Sequence, residues 1–444
     1  MNRKYLLFGA IGLLILIIGL VVLAAASGGG RKGSPTDTGD VTLTYWGVDD
    51  SSEALDPFFQ QFQKDNGKIK IEYKKLERAS YEQQLLDALA AGKGPDLFEI
   101  HDTWLPRYYD KISPIPEEQY KTDDYRRDFF KSVSDGTVVN NRIYGIPFYL
   151  DTLGLFYNDT LLNESDLGDP PRTWQELVGT DGTPIAQTQL GQLTNRQGNT
   201  INRSAIAIGK GNVPRSADIL ALMMLQNKTE MVNAEKDKAL FNLPQKVEGK
   251  DVKLGTESLK FYTCFGDPRC KYYTWSGTDD PLKAFAAGKV TMLIGYPYTK
   301  QQIAKLNPDL RVGVAKVPQL ASGDPVNYAS FWPHVVSKTS SHQDAAWKFI
   351  RFMTDQEQIR AYQEETQRVS PRKDVTGTGE NTAFYEQNES ATTWYKGDAA
   401  RADQVFVDMI GRVLAGEDPQ RAIDAGANTE TGILVDVKQR FARP

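Results

Sequence analysis

Only two cysteines and three histidines occur in 444 residues, so thiolate and imidazole chemistry has little material. Structural zinc sites need about four Cys or His ligands at set spacing, and no histidine lies near Cys264 or Cys270, so no metal is expected. Gly-x-Ser-x-Gly, His-Glu-x-x-His and the phosphate-loop sequence are all absent. Gly209-Lys210-Gly211 lacks the rest of a phosphate loop and reads as a turn. A basic excess is also missing. Lys plus Arg is 52 against 57 for Asp plus Glu, a net charge of −5, which argues against a nucleic-acid partner. Charged residues make up 25 % and hydrophobic residues 40 %, which excludes a disordered chain. The length exceeds one ordinary core and calls for two lobes or domains.

Charge is missing locally as well. Tyr5 to Ala26 contains none, and 22 residues of helix span about 30 Å of hydrocarbon. Arg3 and Lys4 precede this run. Residues 1–26 read as an uncleaved membrane anchor, the favoured reading because the run is longer than a signal peptide needs, or as a cleaved signal ending near Ala24-Ala25-Ala26. Either way the rest of the chain lies outside the cytoplasm, anchored or secreted. No Cys follows the run, which disfavours a lipoprotein. Residues 27–40 are rich in Gly, Ser and Thr and read as a flexible linker. The two cysteines stand in Cys264-Phe-Gly-Asp-Pro-Arg-Cys270, where Gly and Pro favour a turn. A disulfide fits an oxidising compartment, and two unrelated thiols are the alternative.

Alternating periods organise the folded body. Val41, Leu43 and Tyr45 mark a strand; Leu55, Phe58, Phe59 and Phe62 mark a helix over 53–65; Ile69, Ile71 and Tyr73 mark a second strand. Ser80 and Gln83 form a capping box before a helix closed by Gly92, and residues 96–100 form a third strand. This βαβαβ order predicts an α/β lobe with a largely parallel sheet, whose ligand crevice lies beyond the carboxyl ends of the strands. Later, Thr173 and Glu176 form another capping box, residues 180–200 read as loop, His342–Tyr362 reads as one long helix capped by Ser341, and 400–415 and 419–443 read as helical. The crevice rule points to 46–51 and 101–104. At such positions aromatic and polar residues recur together: Trp46 with Asp49 and Asp50; Trp104 with His101 and Asp102; Tyr296 and Tyr298 after a strand; Phe331 and Trp332 before His334. Aromatic faces stack on the apolar C–H face of a sugar ring, while carboxylates and imidazoles bond its hydroxyls. Each aromatic could equally be core. Two of Asp49, Asp50, Asp102 and Asp151 could also serve a glycosidase, given the right separation.

Seven motifs then occur in one order: Thr44-Tyr45-Trp46-Gly47; Gly92-Lys93-Gly94-Pro95-Asp96-Leu97; Tyr144-Gly145-Ile146-Pro147 through Leu155-Phe156-Tyr157-Asn158; Pro171-Arg172-Thr173-Trp174-Gln175-Glu176-Leu177; Ala284 to Val290 with Met292; Ala345-Ala346-Trp347-Lys348-Phe349-Ile350; and Val369-Ser370-Pro371-Arg372. In this the chain resembles, over about 41–440, extracellular solute-binding protein family 1, the maltose-binding-protein-like sugar-binding proteins of ABC transporters. The resemblance implies a two-lobed periplasmic-binding-protein-like α/β fold, each lobe a mostly parallel sheet flanked by helices, joined by crossover strands. One lobe would be about 41–150 with 294–332, the other about 153–290 with 335–444. It implies a monomer without cofactor that holds a mono- or oligosaccharide in the inter-lobe cleft and delivers it to ABC permease subunits. By position, Trp46, Asp49, Asp50, His101, Asp102, Trp104, Asp151, Tyr296, Tyr298, Phe331 and Trp332 would bind it. A ligand-sensing receptor of the same fold, or an enzyme using paired Asp residues, are the competing readings.

Overall fold

The computed structural model describes residues 40–441 apart from Asn199 and Thr378. The expected membrane segment and nearly all of the linker lie outside the described residues. Among those described, no helix is long and apolar enough to cross a membrane.

In chain order, the first lobe opens with β1 (Val41–Gly47), α1 (Ser52–Asp65), β2 (Ile69–Lys75), α2 (Arg78–Ala90), β3 (Leu97–Glu99), β4 (Ile112–Ser113) and β5 (Ile146–Pro147). The chain crosses through β6 (Asp151–Thr152) into β7 (Gly154–Asn158), β8 (Asn195–Gln197), β9 (Thr200–Ile206), α3 (Ser216–Gln226), α4 (Leu254–Cys264), β10 (Val290–Gly295) and β11 (Val312–Lys316) of the second lobe. It returns through β12 (Asn327–Ser330) to β13 (Pro333–Ser337), α5 (Gln343–Met353) and α6 (Gln356–Thr366). After β14 (Ala391–Thr392) it ends in the second lobe with α7 (Ala399–Leu414) and α8 (Pro419–Phe441).

The apolar pattern decides these elements. On β1, Leu43 and Tyr45 turn inward, and α1 sets Leu55, Phe58, Phe59 and Phe62 against them. The Ser51 side chain caps α1 by accepting from the Ala54 N–H. The first sheet runs β2-β1-β3-β13-β4, with β5 also on β13; the second runs β8-β9-β10-β7-β11. Strand direction is mixed rather than mostly parallel. β1 is parallel to β2 and β3, and β9 to β10, but each strand entering from a crossover pairs antiparallel. The crossing strands form their own small sheet, β14-β12-β6, where Ser330 pairs with Asp151.

Two apolar cores follow, and they correct the expected lobe boundaries. Ile294, Tyr296, Ile303, Val317 and Tyr328 pack in the second core, so most of 294–332 does not join the first lobe. β10 and β11 both pair within the second sheet, which delays the return crossing to β12. Conversely Val335, Val336, Trp347, Phe349, Ile359, Tyr362 and Val375 pack in the first core, not the second. The helix expected over His342–Tyr362 breaks between α5 and α6, where the Thr354 hydroxyl bonds back to the Ile350 carbonyl and Asp355 turns extended. Ser80 does not cap α2, which begins two residues earlier, after Glu77. Thr173 does cap its short helix, accepting from the Glu176 N–H at 3.0 Å. The expected loop 180–200 contains a short helix, Gln189–Leu193, and the edge strand β8. Cys264, at the end of α4, is bonded to Cys270.

Candidate ligand cleft

β1 stops at Gly47 and delivers two adjacent carboxylates before the Ser51 cap. The Tyr149 hydroxyl donates to Asp49 Oδ2 at 2.8 Å, and the Tyr362 hydroxyl donates to Asp50 Oδ2 at 2.6 Å. Arg368, just after α6, lies among three acids: 3.4 Å from Asp49, 3.7 Å from Asp50 and 3.7 Å from Asp151. Its guanidinium also sits 4.0 Å over the Tyr149 ring. Arg78, at the start of α2, pairs with Asp49 and lies 4.8 Å over the face of Trp332. Burial raises the Asp49 carboxyl, but Arg368 and Arg78 outweigh it and hold it below the usual range. Asp151 has Arg368 at 3.7 Å and Arg78 farther off, and neither offsets its burial. Burial pushes it up to about 7, and its Oδ1 is buried without a hydrogen-bond partner.

The loop after β3 is zipped to the return crossing. The Asp102 N–H donates to the Phe331 carbonyl, and the Phe331 N–H donates to Asp102 Oδ1 at 3.4 Å. This places His101 Nε2 3.0 Å from the Ser330 hydroxyl and Nδ1 2.7 Å from that of Thr103. Burial, then Arg215 and Lys396, hold the imidazole down at about 3, so it is neutral at pH 7. Burial pushes Asp102 up to about 7. Trp104 stacks on Tyr108 at 6.0 Å and meets Trp332 edge-on at 5.0 Å, which makes an aromatic wall.

The second lobe supplies the facing wall. Tyr296 follows β10 and donates its hydroxyl to Asp218 Oδ2 at 2.9 Å. Arg215 precedes α3 with φ of 61° and donates from Nε to the same oxygen at 2.7 Å. Burial opposes charge on Asp218, but Arg215 and Lys396 prevail and set it at about 2. Tyr298 and the first turns of α7 complete the rim. The resulting cleft has a volume of about 290 Å³ and takes residues from both lobes. Larger or similar hollows lie elsewhere, at Lys300 and Pro308 and at Trp174 and Phe261, but each touches the second lobe alone.

Of the residues expected from sequence, His101, Trp104, Asp151, Tyr296, Tyr298 and Trp332 line this cleft. Asp49, Asp50 and Asp102 stand behind it as acceptors. Two more of the expected residues, Trp46 and Phe331, also lie outside the cleft lining. Trp46 packs on the first core under the Lys74 ammonium, 4.9 Å from its ring, away from the cleft. Phe331 is fully buried, because its main chain is tied to Asp102 and its ring turns inward toward Gly136. Arg78, Tyr149, Arg215, Ser330, Arg368 and Asp403 carried no recognised signal. Tyr149 and Arg368 do adjoin quoted motifs, and Asp403 sits on a helix with no strand end to flag it. Among the described residues no group of Cys, His, Asp and Glu could hold a metal ion.

The family model described as "Bacterial extracellular solute-binding protein" matches residues 58–393. A putative binding protein of Brucella abortus (strain 2308) is 24 % identical over 350 residues, 76 % of each chain. The diacetylchitobiose binding protein of Streptomyces coelicolor is 24 % identical over 365 residues, 79 % of this chain and 78 % of that one. The crystal structure of a cyclic alpha-maltosyl-1,6-maltose binding protein from Arthrobacter globiformis superposes with a TM-score of 0.73 at 19 % identity, covering 90 % of this chain and 100 % of that one.

Proposed function

The chain belongs to the bacterial extracellular solute-binding proteins, and from that premise we propose that it captures a neutral carbohydrate between its lobes and passes it to an ABC importer. One observation carries the choice of ligand. The arginines that line the cleft are already matched by carboxylates, Arg78 by Asp49 and Arg215 by Asp218, beside an aromatic wall. An anionic ligand would have to compete with one of these carboxylates for its guanidinium, whereas a neutral one leaves both pairs in place. A sugar needs only stacking faces and scattered donors and acceptors, here Trp104, Trp332, Tyr298, Ser330, His101 and Asp151. Contact with both lobes favours the closed arrangement by differential affinity, and the permease reads that state. Relatives in this family bind rather than react, and Asp49 and Asp50 are held as ion-pair and hydrogen-bond acceptors, so the cleft acts as a binding site, not a catalytic one. We place the protein on the outer face of the membrane, held by residues 1–26.

The test is thermal unfolding of the full chain with maltose, maltotriose, mannobiose and diacetylchitobiose, beside amino acids and polyamines. A saturating sugar at about 100 times its Kd stabilises by about 2.7 kcal/mol and raises Tm. A shift with a charged amine or amino acid, and none with any neutral sugar, refutes the reading.

A further inference from the structure

Behind the second-lobe wall lies a lysine that no strand end or motif marks. Lys396 connects β14 to α7 and is 4 % exposed. Its ammonium sits 2.5 Å from Asp403 Oδ1 and 3.2 Å from Asp218 Oδ1. The rings of Tyr328 and Trp394 lie 5.4 and 5.8 Å away and exclude water. An ammonium so deeply buried persists only with anionic partners, and its two partners serve different purposes. Asp218 uses its other oxygen to hold Arg215 and Tyr296. Asp403 faces the cleft itself. It stands four residues after Ala399 and three after Ala400, on the same face of α7, and all three line the cavity. The two alanines are short and leave room in front of the carboxylate. Its side chain is 31 % exposed, and among the described residues Oδ2 receives no hydrogen bond.

We infer that Asp403 is a ligand-contacting carboxylate and that Lys396 is the positioning residue that aims it. This rests on the carbohydrate reading and deepens it. Arg215 donates and Asp403 accepts on one wall, which suits a hydroxyl that does both and disfavours an anionic group. One ammonium thereby orients both partners of the ligand. Without Lys396, among the described residues Asp403 loses its one direct ion pair and Asp218 loses one of two.

The experiment compares the full chain with Asp403→Asn, Lys396→Met and the double variant. Kd is measured for maltotriose, mannobiose and diacetylchitobiose. Each single variant is expected to lose 10- to 100-fold in affinity for the sugar that binds. The double variant is expected to bind within about twofold of the weaker single variant, because Lys396 acts through groups that Asp403→Asn already removes in part. Losses that multiply in the double variant overturn the inference. A second readout needs no sugar. The Lys396 ammonium is expected to give a slowly exchanging lysine N–H signal, absent in Lys396→Met and broadened in Asp403→Asn. An unchanged signal in Asp403→Asn overturns the positioning role. Failure of all three sugars to bind the parent chain strikes instead at the carbohydrate reading, and removes Asp403 from a sugar site. Should Lys396→Met not fold, Lys396→Arg keeps the charge and decides the same question by its smaller loss of affinity.

Discussion

Replacing Arg368 by methionine removes one guanidinium from among three carboxylates. Among the described residues, Asp49 keeps Arg78 and Tyr149, Asp50 keeps the Tyr362 hydroxyl, and Asp151 keeps no direct ion pair. The Arg368 side chain is 17 % exposed and those of Asp50 and Asp151 4 % and 7 %, so solvent does little to replace it. Breaking a buried pair by removing one member costs about 3–5 kcal/mol. Protonation offers an escape, and it fixes the sign of the pH dependence. Burial already raises Asp50 and Asp151 above their unfolded values, and loss of Arg368 raises them further. A carboxyl raised on folding costs nothing below its unfolded pKa near 4, and the cost grows as pH rises toward the folded value. Arg368→Met should therefore lose about 3–5 kcal/mol at pH 8, and less at pH 5 by at least about 1.4 kcal/mol, the worth of one pKa unit. Denaturant unfolding at both pH values measures this. A loss below about 1 kcal/mol at pH 8, within the range of exposed ion pairs, or an equal loss at both pH values, refutes the reasoning.

Trp104→Ala should weaken sugar binding by about 1–3 kcal/mol if a ring stacks there; isothermal titration checks it, and an unchanged Kd with a lowered Tm assigns Trp104 to the wall's packing alone. Glu430, on α8, is fully buried, neither oxygen has a hydrogen-bond partner among the described residues, and burial, only partly offset by Lys396, pushes it up to about 8. Stability is thus lost as pH rises from its unfolded value toward 8, so Glu430→Gln should raise Tm at pH 8 and leave it nearly unchanged at pH 4; an equal shift at both refutes this. The Cys264–Cys270 bond closes a short loop, and its replacement by a serine pair should cost about 2 kcal/mol in chemical unfolding. A loss above about 5 kcal/mol, the upper end for any disulfide, would mean the bond does more than restrain the unfolded chain.

Local periodicity made the first lobe readable. β1, α1, β2, α2 and β3 fall where alternation and the 3.6-residue pattern put them, because each buries one face against a neighbour close in sequence. Helix junctions were less legible. One apolar stripe runs through α5 and α6, and only the Thr354 back-bond separates them. Within the cleft, the strand-end rule located His101, Trp104 and Tyr296 but misplaced Trp46. A residue in a strand points to either face, and β1 turns Trp46 toward Lys74.

Sequence by itself determined the class of molecule. Motif order gave the two-lobed α/β family, and the Gly- and Pro-containing turn between Cys264 and Cys270 favoured the bond that the structure shows. Tertiary structure alone decided which strand makes the return crossing and which side chains meet. Arg368 lies more than 200 residues from Asp151 and more than 300 from Asp49 and Asp50, and Lys396 is 178 residues from Asp218. Charges that far apart in the chain leave no local pattern. They become a site only when two cores fold and the crossing strands bring the lobes together, since ion pairing depends on distance in space and burial, not on spacing in sequence.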